Sequence, residues 1–327
     1  MLCKSGKICY NSAMERKQID QNGVLSSLIG KPTPAKASGL TYSLAATLSV
    51  VVAFLFLLTI SLLGLTTEGY EGKDWYLYCS YLLVPLTFAL VAWFILRWSG
   101  QSIGGEIRAQ ACPARYFVIA ILLQVGLFSL SQLNVVFLGW LKKFGYEDTP
   151  IQIPSMDGLG FVGVLISIAL LPAVFEELIF RGLLLKGMKS FGTVGAVLLN
   201  GALFALYHQN PAQTMYQFCC GIAFAFVAIR AGSILPTVLS HFINNTLIIV
   251  LLKFGITDFQ GVVLTVVIIV SILCLIASLV WLFAFDKGEK RALNDQDKVE
   301  KKHFLTYASV GIAMYALTWI SVFLKGL

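Results

Sequence analysis

Charge is scarce in this chain. Only 13% of its 327 residues are Asp, Glu, Lys or Arg, while 57% are hydrophobic, and an ordinary soluble domain is about 25% charged. The deficit excludes a water-facing surface over most of the length. Histidine is scarcer still, with three residues in all. The seven cysteines (Cys3, Cys9, Cys79, Cys112, Cys219, Cys220 and Cys274) are odd in number and form no CxxC, so neither a disulfide framework nor a zinc ribbon follows. An HExxH motif, an internal repeat and a low-complexity tract are also missing. The first 38 residues hold Lys4, Lys7, Arg16, Lys17, Lys31 and Lys36 but no apolar run, which predicts a cytoplasmic tail rather than a cleavable signal.

What the chain has in quantity is long apolar runs. Nine approach or exceed the roughly 20 residues needed to cross a bilayer as helix: about Leu40–Leu65, Trp75–Trp98, Tyr116–Leu141, Phe161–Leu185, Thr193–His208, Gln213–Ile229, Ile234–Leu252, Gly261–Phe285 and Phe304–Leu324. The expected fold is an all-α polytopic transmembrane bundle of about nine spans, eight being the alternative. Basic residues choose between them. With the N-terminus inside and Arg181 set aside as intramembrane, only Lys73, Lys142, Lys143, Lys253 and Lys325 of the 24 Lys and Arg fall on the far side, as the positive-inside rule requires. Eight spans break that alternation. The division expected is a tail over 1–38, accessory helices over 39–157, a catalytic core over 158–253 and C-terminal helices over 254–327. The net charge of +7 is a topology signal here, with the lipid bilayer rather than nucleic acid as partner. Trp75, Trp93, Trp98 and Trp140 read as interfacial anchors, Gln124, Ser131 and Gln132 as interhelical packing groups, and the mixed-charge run 286–303 as a cytoplasmic loop.

Ionisable groups within spans cost at least about 2.5–3.5 kcal/mol each to insert, so they mark function by default. They concentrate in three places: Glu176, Glu177 and Arg181 in LPAVFEELIFRG, His208 in NGALFALYHQ, and His241 with Asn245 in LSHFINN. If the fourth and fifth spans turn near Phe191 and Gly192, Glu176 and His208 lie at one depth, each roughly 20–24 Å along its helix from the turn. Asn245 reaches a similar layer. Glu177 and Arg181 stand at i and i+4, an intrahelical ion pair, and Glu176 is rotated about 100° away. Glu176 is thereby left as the general base. His241 and Asn245, also at i and i+4, present two donors suited to a developing oxyanion, and Phe204 packs along His208. Cys219 and Cys220 read as buried small hydrophobes.

These motifs, EExxxR (Glu176, Glu177, Arg181), FxxxH (Phe204, His208) and HxxxN (His241, Asn245), resemble those of the CAAX-protease and bacteriocin-processing (CPBP, Abi) family of intramembrane proteases. The likeness covers about residues 160–250. It implies a glutamate-dependent, metal-independent endopeptidase in which Glu176 and His208 activate water and His241 and Asn245 hold the oxyanion. Glu177, Arg181 and Phe204 then support them. The expected substrate is a peptide or protein at the membrane, prenylated in eukaryotic members, with no cofactor. The expected location is the plasma membrane of a bacterium, by analogy with the family. Three other readings stay open: a zinc hydrolase with Glu176, His208 and His241 as ligands, a transporter using the cluster as a relay, and a non-catalytic bacteriocin-immunity protein.

Overall fold

A computed structural model describes residues 32–100, 109–148, 151–256, 259–286 and 297–327. Most of the expected tail and the centre of the charged run 286–303 lie outside the described residues, as do Cys3 and Cys9. Among the described residues there are nine helices long and apolar enough to cross a membrane: α1 (Pro34–Leu62), α2 (Asp74–Ser99), α3 (Arg115–Lys142), α4 (Leu159–Gly187), α5 (Lys189–Tyr207), α6 (Pro211–Ala231), α7 (Leu235–Lys253), α8 (Gly261–Phe285) and α9 (Lys298–Lys325). No strand occurs among them. The protein is a multi-pass helical membrane protein.

Two helices begin well before their apolar runs. α1 starts at Pro34, with proline in the first turn and the Thr33 hydroxyl accepting from Lys36 N at 3.4 Å. α9 starts at Lys298, where the Asp297 carboxylate accepts from Val299 N at 2.7 Å and Glu300 N at 3.4 Å. An N-cap satisfies helix-end amides whatever the polarity of the turn that follows. The inner ends of the expected tail and charged loop are therefore helical.

α4 is not a uniform α-helix. Its α-helical stretch Leu171–Glu177 lies between two π-helical segments, Leu165–Leu170 and Leu178–Leu184. Pro172 opens the α-helical stretch; having no N–H, it cannot make the ordinary i to i−4 bond, and a π-turn is one way for a helix to absorb the mismatch.

Small residues let the helices close on one another. A Cβ on Gly221 of α6 would stand 2.7 Å from Gly201 Cα of α5, and one on Gly311 of α9 would stand 2.7 Å from Tyr42 O of α1. α1 is tied into the centre by Ser38 Oγ donating to Leu183 O at 2.7 Å and Tyr42 Oη donating to Leu203 O at 2.9 Å. Gln124 of α3 is fully buried and bonds α7, whereas Ser131 bonds back to Phe128 O in its own helix and Gln132 is exposed. Trp93 and Trp140 are exposed, as lipid-facing anchors should be, and Trp75 moderately so; Trp98 is buried in the core and is not an anchor.

Candidate active site

Glu177 and Arg181 make the expected pair. Arg181 Nη1 lies 2.7 Å from Glu177 Oε1, with both side chains wholly buried. The guanidinium also donates through Nη2 to Gly221 O at 3.3 Å, within reach because Gly221 carries no side chain. Its Cζ sits over the rings of Phe204 at 4.3 Å and Phe224 at 5.3 Å. Carboxylate, carbonyl and ring faces together replace the hydration that the buried cation has given up.

His241 of α7 bridges the two glutamates. Its Nδ1 is 3.0 Å from Glu177 Oε1 and its Nε2 is 3.8 Å from Glu176 Oε2. A carboxylate oxygen already taken by Arg181 accepts again here, so Nδ1 carries the proton and Nε2 faces Glu176. Glu176 itself accepts from Tyr207 Oη through Oε1 at 3.1 Å, and its buried Oε2 makes no hydrogen bond within the protein. Glu177 is thus engaged by a permanent cation, and Glu176 is not.

Glu176 and His208 do not meet directly. Among the described residues no hydrogen bond or ion pair joins them. His208 follows the last residue of α5 and turns its Nδ1 back to Phe204 O at 2.8 Å, while its ring lies edge-on to Phe204 with centroids 4.7 Å apart. The place beside Glu176 is taken by Tyr207. A carbonyl only accepts, so His208 Nδ1 carries the proton and Nε2 holds the lone pair. Phe204 links the site's parts, with Arg181, His208 and His241 all against its ring. Asn245 donates to Ile168 O at 3.3 Å and accepts from Asn244 Nδ2 at 3.1 Å. His208 and Asn245 are partly exposed, whereas Glu176 and His241 are buried.

Tyr207 and Asn244 escaped the sequence reading. Tyr207 had a signal: a phenol buried in an apolar span needs a polar partner, and this one directly precedes the motif histidine. Asn244 was hidden by its neighbour, the motif asparagine. As for a metal, no group of three His, Cys, Asp or Glu side chains that could hold an ion occurs among the described residues.

The fold and the buried cluster define a multi-pass membrane protein with a glutamate pair, one member ion-paired, facing a histidine on a neighbouring span. Residues 158–247 match the model of a protein family described as type II CAAX prenyl endopeptidase Rce1-like. The matched segment carries all three motifs and is similar to the CAAX-protease family, in line with the resemblance drawn from the sequence. Comparison with curated proteins gave no match, and neither did comparison with solved structures.

Proposed function

We propose that the protein is an intramembrane endopeptidase in which Glu176 activates water. The observation that carries this reading is the asymmetry of the acidic pair: Glu177 accepts from Arg181 at 2.7 Å, while Glu176 has no cationic partner other than a histidine and keeps one buried oxygen unbonded. In the proposed reaction a water loses a proton to the Glu176 carboxylate, and its oxygen attacks the scissile carbonyl. His208, with Nδ1–H spent on Phe204 O, offers the Nε2 lone pair to the same water across the site. His241, in its imidazolium form with Nε2 protonated as well as Nδ1, and Asn245 donate to the oxygen that gains charge. The proton held by Glu176 then passes to the leaving amine as the C–N bond breaks. No cofactor enters this scheme.

The family's description points to a prenylated C-terminal peptide as the first substrate to try. The same reading puts the N-terminus in the cytoplasm, from the distribution of Lys and Arg, and the protein in a bacterial plasma membrane by analogy with the family. The test is incubation of the purified protein in lipid vesicles with a peptide library that includes prenylated cysteine peptides, with mass spectrometry of the products. New termini that need the intact protein are expected. An absence of cleavage, with solute flux or host protection surviving instead, would favour the transporter or immunity reading.

A further inference from the structure

A second polar cluster lies outside the motifs. Gln124 of α3, Tyr216 of α6 and Ser240 and Asn244 of α7 meet between three helices; Gln124, Ser240 and Asn244 are buried. Ser240 Oγ donates toward Gln124 Oε1 at 3.2 Å, sharing its proton with Ala120 O at 3.1 Å. Gln124 Nε2 donates to Asn244 Oδ1 at 2.8 Å, and Tyr216 Oη donates to the same oxygen at 2.8 Å. With two donors on its oxygen, the Asn244 amide has one orientation left. Its Nδ2 faces Asn245 Oδ1 at 3.1 Å.

We propose that Asn244, held by Gln124 and Tyr216, is the positioning residue that sets which end of the Asn245 amide faces substrate. The run has one donor direction, from Ser240 through Gln124 and Asn244 to Asn245, and each bond fixes the next amide. Its last member spends its oxygen on Asn244. The nitrogen is left as the outward group, one hydrogen on Ile168 O and the other available to an oxyanion. A flipped Asn245 would present an oxygen to developing negative charge. Ordinary packing glue needs satisfied partners but has no reason to end on the motif asparagine with that polarity. α3 stands outside the matched segment 158–247, so an accessory helix serves the site.

The inference rests on the proposed peptidase reading and is tested on the full protein in lipid. Asn244→Leu removes the contact to Asn245, and Gln124→Met with Asn244→Leu replaces both buried partners by apolar groups of similar shape, which preserves folding. Each is compared with Asn245→Ala and with Asn244→Leu in the Asn245→Ala background. Removal of one oxyanion donor lowers kcat by about 10²–10³; loss of its orientation is expected to lower kcat by at least about tenfold with KM little changed. In the Asn245→Ala background Asn244→Leu is expected to add almost nothing. A full multiplicative loss there, or no loss in either single variant, overturns the proposal. A second measurement needs no activity: in an experimental structure of Asn244→Leu the Asn245 amide leaves Ile168 O while His241 stays on Glu177. An unmoved Asn245 contradicts the inference even if hydrolysis is never detected, whereas cleavage retained in Glu176→Gln contradicts the peptidase mechanism instead.

Discussion

His241 and Glu177 form a buried pair, Nδ1 to Oε1 at 3.0 Å, and this bond turns the other imidazole nitrogen toward Glu176. The acidic neighbours thereby take different duties. Glu177 orients an imidazole and neutralises Arg181; Glu176 keeps one buried oxygen without a hydrogen bond among the described residues.

Arg181 is the group on which folding of the site depends. Its removal leaves the buried Glu177 charge with His241 but without its permanent cation, and breaking a buried ion pair from one side costs about 3–5 kcal/mol. Arg181→Met is expected to destabilise by that amount in thermal or denaturant unfolding in detergent, and Glu177→Gln combined with Arg181→Met to recover much of the loss. A single variant as stable as wild type contradicts the pairing.

Tyr207 holds Glu176 by its hydroxyl at 3.1 Å. Tyr207→Phe deletes one oxygen and leaves the ring contacts with Phe180 and Tyr315. A hydrogen bond to a charged group is worth about 1.5–3 kcal/mol of stability, so the melting temperature is expected to fall by a few degrees and cleavage of the still-folded protein roughly tenfold or more. Equal rates would show that the carboxylate keeps its place without the phenol.

His208→Gln retains a polar group near Phe204 O but has no imidazole lone pair. Its expected loss is about 10²–10⁴ in kcat, the range for general acid–base groups. A loss confined to KM would assign His208 to substrate binding alone.

Asp286 joins three helix ends. It lies 2.8 Å from Arg230 of α6 and 3.2 Å from Arg115 of α3, and it accepts from Tyr116 at 2.9 Å. Asp286→Ala is expected to lower the melting temperature while KM stays unchanged, because among the described residues its partners Arg115, Tyr116 and Arg230 share no hydrogen bond or ion pair with the candidate site residues. A specific loss of turnover at full stability would tie it to the reaction.

The spans were readable from the sequence because one term dominates: apolar length must match the bilayer. α8 begins and ends where its apolar run does, whereas α1 and α9 overran theirs because capping by Thr33 and Asp297 acts on the backbone and leaves no hydrophobic trace. Within the site, the Glu177–Arg181 pair followed from i, i+4 spacing on one helix. Contacts between helices did not follow. Residue counts placed His208 level with Glu176, but axial depth says nothing of rotation about the helix, and the rotation gives Glu176 to Tyr207 and His241. Trp98 failed as an anchor for the same reason: its position along α2 was right and its face was not. The Gln124–Asn244 bond links residues 120 positions apart, beyond the reach of any local pattern.

The most direct test of the account is the single-turnover cleavage rate of Glu176→Gln beside wild type, in lipid, with a substrate peptide found by the library experiment. The substitution preserves shape and the bond from Tyr207 but cannot take a proton from water. The account predicts a folded, membrane-inserted variant whose cleavage is abolished; a variant that cleaves at the wild-type rate contradicts it.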